Sequence, residues 1–346
     1  CQMCRRPYVI FQVCMLSLSA LIVPVAYIAM PKSPQASETI SLVVFFAAFS
    51  GLLMSAFMKV MFFSKNFEMA NDAISKLESL FDEMDKNKLA HGDVSDMTSH
   101  DIDFSGVTFR YEEGVDVLTD FNLKLESGKK YALVGSSGSG KSTIAKLISG
   151  FYPVSSGELK IGGVDISKYK RETLEHEIAF VFQNAKLFKT SIYENVKIGR
   201  PDASREEVLK ALDLAMCGSI LDKFETREDT IIGAKGVHLS GGETQRIAIA
   251  RAILKDAPII ILDEASAASD PENEYEMQQA FSKLMEGKTV IMIAHRLSSI
   301  RNVDEILVVE DGKVTERGSH DELMKKDSKY KNLQNLYNQA NEWRLS

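Results

Sequence analysis

The nine residues Gly135, Ser136, Ser137, Gly138, Ser139, Gly140, Lys141, Ser142 and Thr143 carry the most specific chemistry in the sequence. They satisfy G-x-x-x-x-G-K-[ST] after the apolar run Tyr131–Val134 and before a helix candidate at 142–149, the setting in which this pattern cradles phosphate. Gly135, Gly138 and Gly140 let backbone N–H groups turn toward an anion with no Cβ in the way. Lys141 adds a point charge for the β- and γ-phosphates, and Ser142 can offer its hydroxyl to Mg2+. A triphosphate nucleotide is the ligand this pattern fits.

Two further groups complete a possible hydrolytic set. Asp263 and Glu264 end the apolar run that starts at Ile259, and a carboxylate at the end of a buried strand beside such a loop is placed to hold Mg2+ through water. Two adjacent acids can divide the work, Asp263 on the metal and Glu264 on the attacking water as base or orienter. Ser240-Gly241-Gly242-Glu243 has the S-x-x-E form of a capping box and starts a helix that Asp256-Ala257-Pro258 stops. Its glycines leave N–H groups and the positive end of the helix dipole bare, which suits a second phosphate contact as well as an ordinary cap.

The elements that must position these groups alternate. Val107–Tyr111 and Phe121–Glu126 alternate apolar and polar residues as half-exposed strands do, and buried strands are expected at 131–135, 177–182, 259–262 and 289–294. Helices are expected at Ser142–Ser149, Arg205–Ala215, Glu243–Leu254 and Glu272–Glu286, the last with Asp270 as cap and Pro271 in its first turn. Glu305–Gly318 reads as a hairpin turning at Asp311-Gly312. The pattern predicts a layered α/β domain with an antiparallel portion near its start.

Ahead of it, Tyr8–Met30 and Thr39–Phe63 are apolar stretches of more than twenty residues, each long enough to cross a hydrocarbon core of about 30 Å. Arg5 and Arg6 precede the first and Lys65 follows the second, an asymmetry expected when both outer ends face the cytoplasm. An amphipathic connector helix is expected at 67–88 and a polar linker at 89–97. This gives a partial membrane domain over 1–97 and a nucleotide-binding domain over 98–346. Opening on Cys1 rather than Met, the sequence looks like the C-terminal piece of something longer. A net charge of −7 argues against a nucleic-acid partner, and the four cysteines are too few for a disulfide framework.

Together these residues resemble the nucleotide-binding domain of an ATP-binding cassette (ABC) transporter. Gly135–Thr143 resembles the Walker A loop, Leu239–Ala252 the family signature, Ile259–Glu264 the Walker B strand and Ile291–Arg296 the switch-histidine segment, in the family's order. The two apolar stretches and connector resemble the last two membrane helices of the exporter fold. The resemblance implies an α/β P-loop NTPase domain with antiparallel β and helical subdomains, binding ATP and Mg2+, preceded by two transmembrane helices. It implies that two such domains meet head to tail, each ATP lying between one chain's Walker A loop and Ser240, Gly241 and Gly242 of its partner. Residue by residue it implies Tyr111 as the adenine-stacking aromatic and Gln183 as the Q-loop residue contacting Mg2+. It likewise implies Asp270 as the D-loop aspartate, and Glu264 and His295 as catalytic groups at the γ-phosphate. Glu243 stands where glutamine is commoner, and Ala234 where a glutamate often contacts the partner. The implied function is ATP-driven movement of an unidentified substrate across the plasma (inner) membrane, with the ATPase domain cytoplasmic and a second half-transporter, identical or not, as partner. Export is favoured; a siderophore-type importer on the same fold and an ABC ATPase without transport stay open.

Overall fold

The computed structural model describes residues 28, 36–86, 89–111, 114–233, 236–263, 271–294, 300 and 302–345. The chain divides into two units, residues 1–86 and 87–346. Apart from Ile28, the described part of the first unit is one helix, α1 (Ala36–Lys86). The expected second apolar stretch and connector both lie on this helix, which runs on through Ser64-Lys65-Asn66, where no glycine or proline interrupts the hydrogen-bond ladder. Among the described residues, no helix is long and apolar enough to cross a membrane. The expected span at 8–30 lies outside the described residues except for Ile28, as do many side chains of the span at 39–63.

The strands described in the second unit are β1 (Ile102–Phe109), β2 (Leu118–Leu125), β3 (Lys130–Val134), β4 (Ser156–Ile161), β5 (Val164–Asp165), β6 (Ile178–Val181), β7 (Ile259–Asp263), β8 (Thr289–Ile293), β9 (Glu305–Glu310) and β10 (Lys313–Gly318). They form two sheets. One is antiparallel in the order β2-β1-β4-β5; the other has the order β10-β9-β3-β8-β7-β6, parallel except for the β9–β10 hairpin. The helices are α2 (Lys141–Ile148), α3 (Arg171–Glu177), α4 (Ile192–Lys197), α5 (Arg205–Leu214), α6 (Gly218–Leu221), α7 (Gly241–Lys255), α8 (Pro271–Leu284), α9 (His320–Lys325) and α10 (Lys329–Leu345).

Side-chain alternation explains why the strands β3, β7, β8 and β9 of the six-stranded sheet are buried on both faces. Ala132, Val134, Ile260, Leu262, Val290, Met292, Ile306 and Val308 point into one core with α7 and α8. Their alternating neighbours Tyr131, Leu133, Ile259, Ile261, Ile291, Ile293, Leu307 and Val309 point into a second core with α2 and the antiparallel sheet. A continuous apolar run is therefore required in β3, β7, β8 and β9, and each has one. β4, β5 and the short helices α3, α4 and α6 lack such a signature and were not anticipated from sequence.

Register then fixes the site. Leu133 pairs with Ile293, Ile293 with Asp263, and Leu262 with Val181. The carboxyl ends of β3, β8, β7 and β6 thus lie along one edge of the sheet, where ligands of open α/β sheets bind. The predicted linker is fastened down. Gly92 N–H donates to the Tyr169 carbonyl at 3.1 Å, Val94 N–H to the Lys168 carbonyl at 3.0 Å, and Lys170 N–H to the Val94 carbonyl at 2.9 Å.

The hairpin turn follows its sequence signature, with Asp311 at φ 44° and Gly312 at φ 71° as a two-residue primed turn demands. A Cβ on Gly312 would come within 2.2 Å of the Val117 carbonyl oxygen. Gly312→Ala is therefore expected to destabilise the fold by about 2 kcal/mol or more, seen as a lower urea midpoint by circular dichroism.

Candidate functional site

The loop between β3 and α2 is held in a conformation that L side chains avoid. Gly135, Gly138 and Gly140 have φ of 144°, 81° and 104°. A Cβ on Gly135 would lie 2.1 Å from the Val309 carbonyl oxygen, whereas nothing lies within 4 Å of the Cβ position of Gly138. One glycine is thus demanded by packing and another faces open space where a ligand can approach. Helices α4, α5, α7 and α9 begin at serines whose hydroxyls accept a backbone N–H. Helix α2 begins at Gly140 with no side-chain cap, so its first N–H groups are left for an anion.

Lys141 is almost fully buried. Its ammonium donates to the carbonyls of Gly135 at 3.0 Å and Ser136 at 2.6 Å and to Ser139 Oγ at 3.3 Å, so it folds back inside the loop. Burial pushes its pKa down, and the charge of Asp263 opposes that shift. Asp263 is therefore in electrostatic reach of the loop, as the sequence predicts for an acid ending a neighbouring strand. Ser142, next along α2, is exposed, and Thr143 is buried. Gln183, just past β6, and Asp263 line one open cavity of about 890 Å³. Glu264, Asp270, His295 and Ala234 lie outside the described residues.

Tyr111 joins the loop from β1. Its hydroxyl lies 3.2 Å from Thr143 Oγ1, and its ring meets Phe109 and Tyr152 edge-on at 4.9 and 5.2 Å. Lys146 on α2 places its ammonium 5.5 Å from the ring centroid. The ring is held among these side chains beside the loop while remaining 41% exposed. Tyr152 and Lys146 have no motif and are visible only in three dimensions.

At the start of α7 the capping box forms. Ser240 Oγ accepts Glu243 N–H at 3.2 Å and Glu243 Oε2 accepts Ser240 N–H at 2.6 Å. No atom lies within 4 Å of the Cβ position of Gly241. One turn on, buried Arg246 donates to the Met216 carbonyl at 2.8 Å, to Asn273 Oδ1 at 3.0 Å and to Glu276, tying α7 to α8. Glu243 also pairs with Lys223 at 2.5 Å. Burial would push its carboxyl pKa up, but the bonds from Lys223 and from the Ser240 N–H and hydroxyl outweigh this and hold it below the ordinary value.

Residues 118–267 match the family described as ABC transporter. A protein of Bacillus subtilis strain 168, named for multidrug export as an ATP-binding/permease protein, is 44% identical over 238 residues, 68% of this chain and 41% of its own length. ATP-dependent lipid A-core flippases of Salmonella paratyphi A and Pasteurella multocida are 45% and 46% identical over 245 and 237 residues. The match covers 70% and 68% of this chain, and 42% and 41% of those proteins. The chain spans about two fifths of the length of the curated relatives it matches.

Lys141→Ala is expected to weaken nucleotide binding by roughly tenfold or more, the worth of a charge-assisted hydrogen bond, in a fluorescent-nucleotide titration. For Glu243, a depressed folded pKa means that its stabilisation is present above the ordinary value and lost as pH falls through the folded one. Glu243→Gln should therefore flatten the acid side of the stability profile below about pH 4.5, measured by thermal melts across pH.

Proposed function

We propose, on the strength of the match of residues 118–267 to the ABC transporter family, that the chain is the ATP-binding and ATP-hydrolysing part of a membrane exporter. The observation that carries this is the pairing of two unlike helix starts in one domain. Helix α2 opens from an uncapped glycine loop with Lys141 and Asp263 beside it, and α7 opens from a capped glycine turn that faces free space. The first suits a bound triphosphate, and the second suits a phosphate brought by another copy.

In this reading, N–H groups of Gly135–Thr143 hold the β- and γ-phosphates while the Lys141 ammonium exchanges the carbonyls of Gly135 and Ser136 for phosphate oxygens. Tyr111 stacks on the adenine. The exchange is favourable because a phosphate oxygen carries more charge than a carbonyl oxygen. Ser142, Asp263 and Gln183 offer hydroxyl, carboxylate and amide oxygens, a hard donor set that fits Mg2+, whose chemistry there is to neutralise charge on the β- and γ-phosphates. Glu264 orients the attacking water and accepts its proton, and His295 steadies the γ-phosphate. Ser240, Gly241 and Gly242 of a second half-transporter, identical or not, close over the same phosphate, with Asp270 at the contact. Closure persists while the γ-phosphate bridges the two copies and ends when it is cleaved.

The stretches 8–30 and 39–63 are proposed to span the bilayer, on the strength of their hydropathy and flanking charges, and so to hold the domain at the cytoplasmic face of the inner membrane. The names of the relatives, multidrug export and lipid A-core flipping, support outward movement of the cargo.

Glu264→Gln should retain ATP binding while phosphate release falls by a factor of about 10²–10⁴, the usual contribution of a positioned base. A turnover close to that of the unaltered chain would remove Glu264 from this role.

A further inference from the structure

The start of α7 carries an acid where a triphosphate is proposed to dock. A helix N-terminus is worth roughly half a positive charge, and a full negative charge in its first turn more than cancels it. Glu243 is that charge, and it is fixed in place: it is 7% exposed and both of its carboxylate oxygens are engaged. Left uncompensated, it would turn an attractive site for phosphate into a repulsive one. The compensation comes from a separate segment. Lys223, two residues past α6, reaches across to Glu243 Oε1 at 2.5 Å while its side chain stays 57% exposed.

We infer that Lys223 is an electrostatic positioning residue for the partner's nucleotide, restoring the positive potential that Glu243 removes from the Ser240 turn. This deepens, and rests on, the head-to-tail reading given above. The neighbouring geometry makes the assignment specific. Arg246 cannot serve instead, because its guanidinium is 2% exposed and committed to Met216, Asn273 and Glu276. The segment bearing Lys223 is held by the same arginine through the Met216 carbonyl, so the lysine and the turn it serves are anchored to one side chain. Glutamine at position 243 would keep the box, since its amide oxygen can accept Ser240 N–H, and would need no lysine.

The test compares the unaltered chain, Lys223→Gln, Glu243→Gln and the double variant by ATP-driven association and by KM and kcat for ATP. Lys223→Gln is expected to raise KM and weaken association by roughly fivefold, within the range of charge effects at a helix terminus, and to leave kcat at saturating ATP within about twofold. Its ADP affinity, which needs only the chain's own loop, should stay unchanged. Glu243→Gln alone should bind at least as well as the unaltered chain, and adding it to Lys223→Gln should restore KM and association. An unchanged KM in Lys223→Gln, or a double variant that is not restored, overturns the inference. If the unaltered chain itself shows no ATP-driven association, the head-to-tail reading fails, and this inference with it.

Discussion

The carbonyl oxygen of Val309, 2.1 Å from where a Cβ of Gly135 would stand, is the constraint on which the site depends. It brings the hairpin strand β9 against the turn that leaves β3, so the chain can pass only as glycine and only at positive φ. That turn aims the following N–H groups outward and folds the Lys141 side chain inward. The parallel register of β3, β8, β7 and β6 then delivers Asp263 and Gln183 to the same edge. None of these placements is a property of the loop alone. They follow from central strands whose two faces are both buried.

Much of this was legible in the sequence because the relevant rules are local. The glycine spacing before Lys141, the S-x-x-E pattern at Ser240 and the Asp311-Gly312 turn each specify backbone geometry within a few residues, and each appears as expected. Buried strands announced themselves by unbroken apolar runs. What escaped notice depends on partners far away in sequence. The antiparallel strands β4 and β5, the docking of residues 92–94 on 168–170, and the Arg246 anchor to α8 leave no periodic trace. The expected span at 39–63 and connector at 67–88 lie on one helix. Helix propagation follows the backbone, and with no glycine or proline between Phe63 and Phe67 the helix continues.

The candidate site shows the same division. Tyr111 is implied by the family resemblance, but its support by Phe109, Tyr152 and Thr143 is tertiary. Glu243 was visible as a departure from the commoner glutamine. Its consequence emerges only with Lys223 beside it, because sequence distance hides a charge pair that joins two segments. Departures from a family pattern are where such compensation is best sought, since an uncompensated charge at a functional helix start would oppose the ligand.

The central claim is that one triphosphate is held by the Lys141 loop of one copy and the Ser240 turn of another. Its most direct test is a structure of the Glu264→Gln chain with ATP and Mg2+ trapped. The account predicts γ-phosphate oxygens within hydrogen-bond distance of Lys141 from one protomer and of Ser240 and Gly242 from its partner. A nucleotide contacting a single protomer, with the glycine turns of the other pointing away from it, would contradict the account.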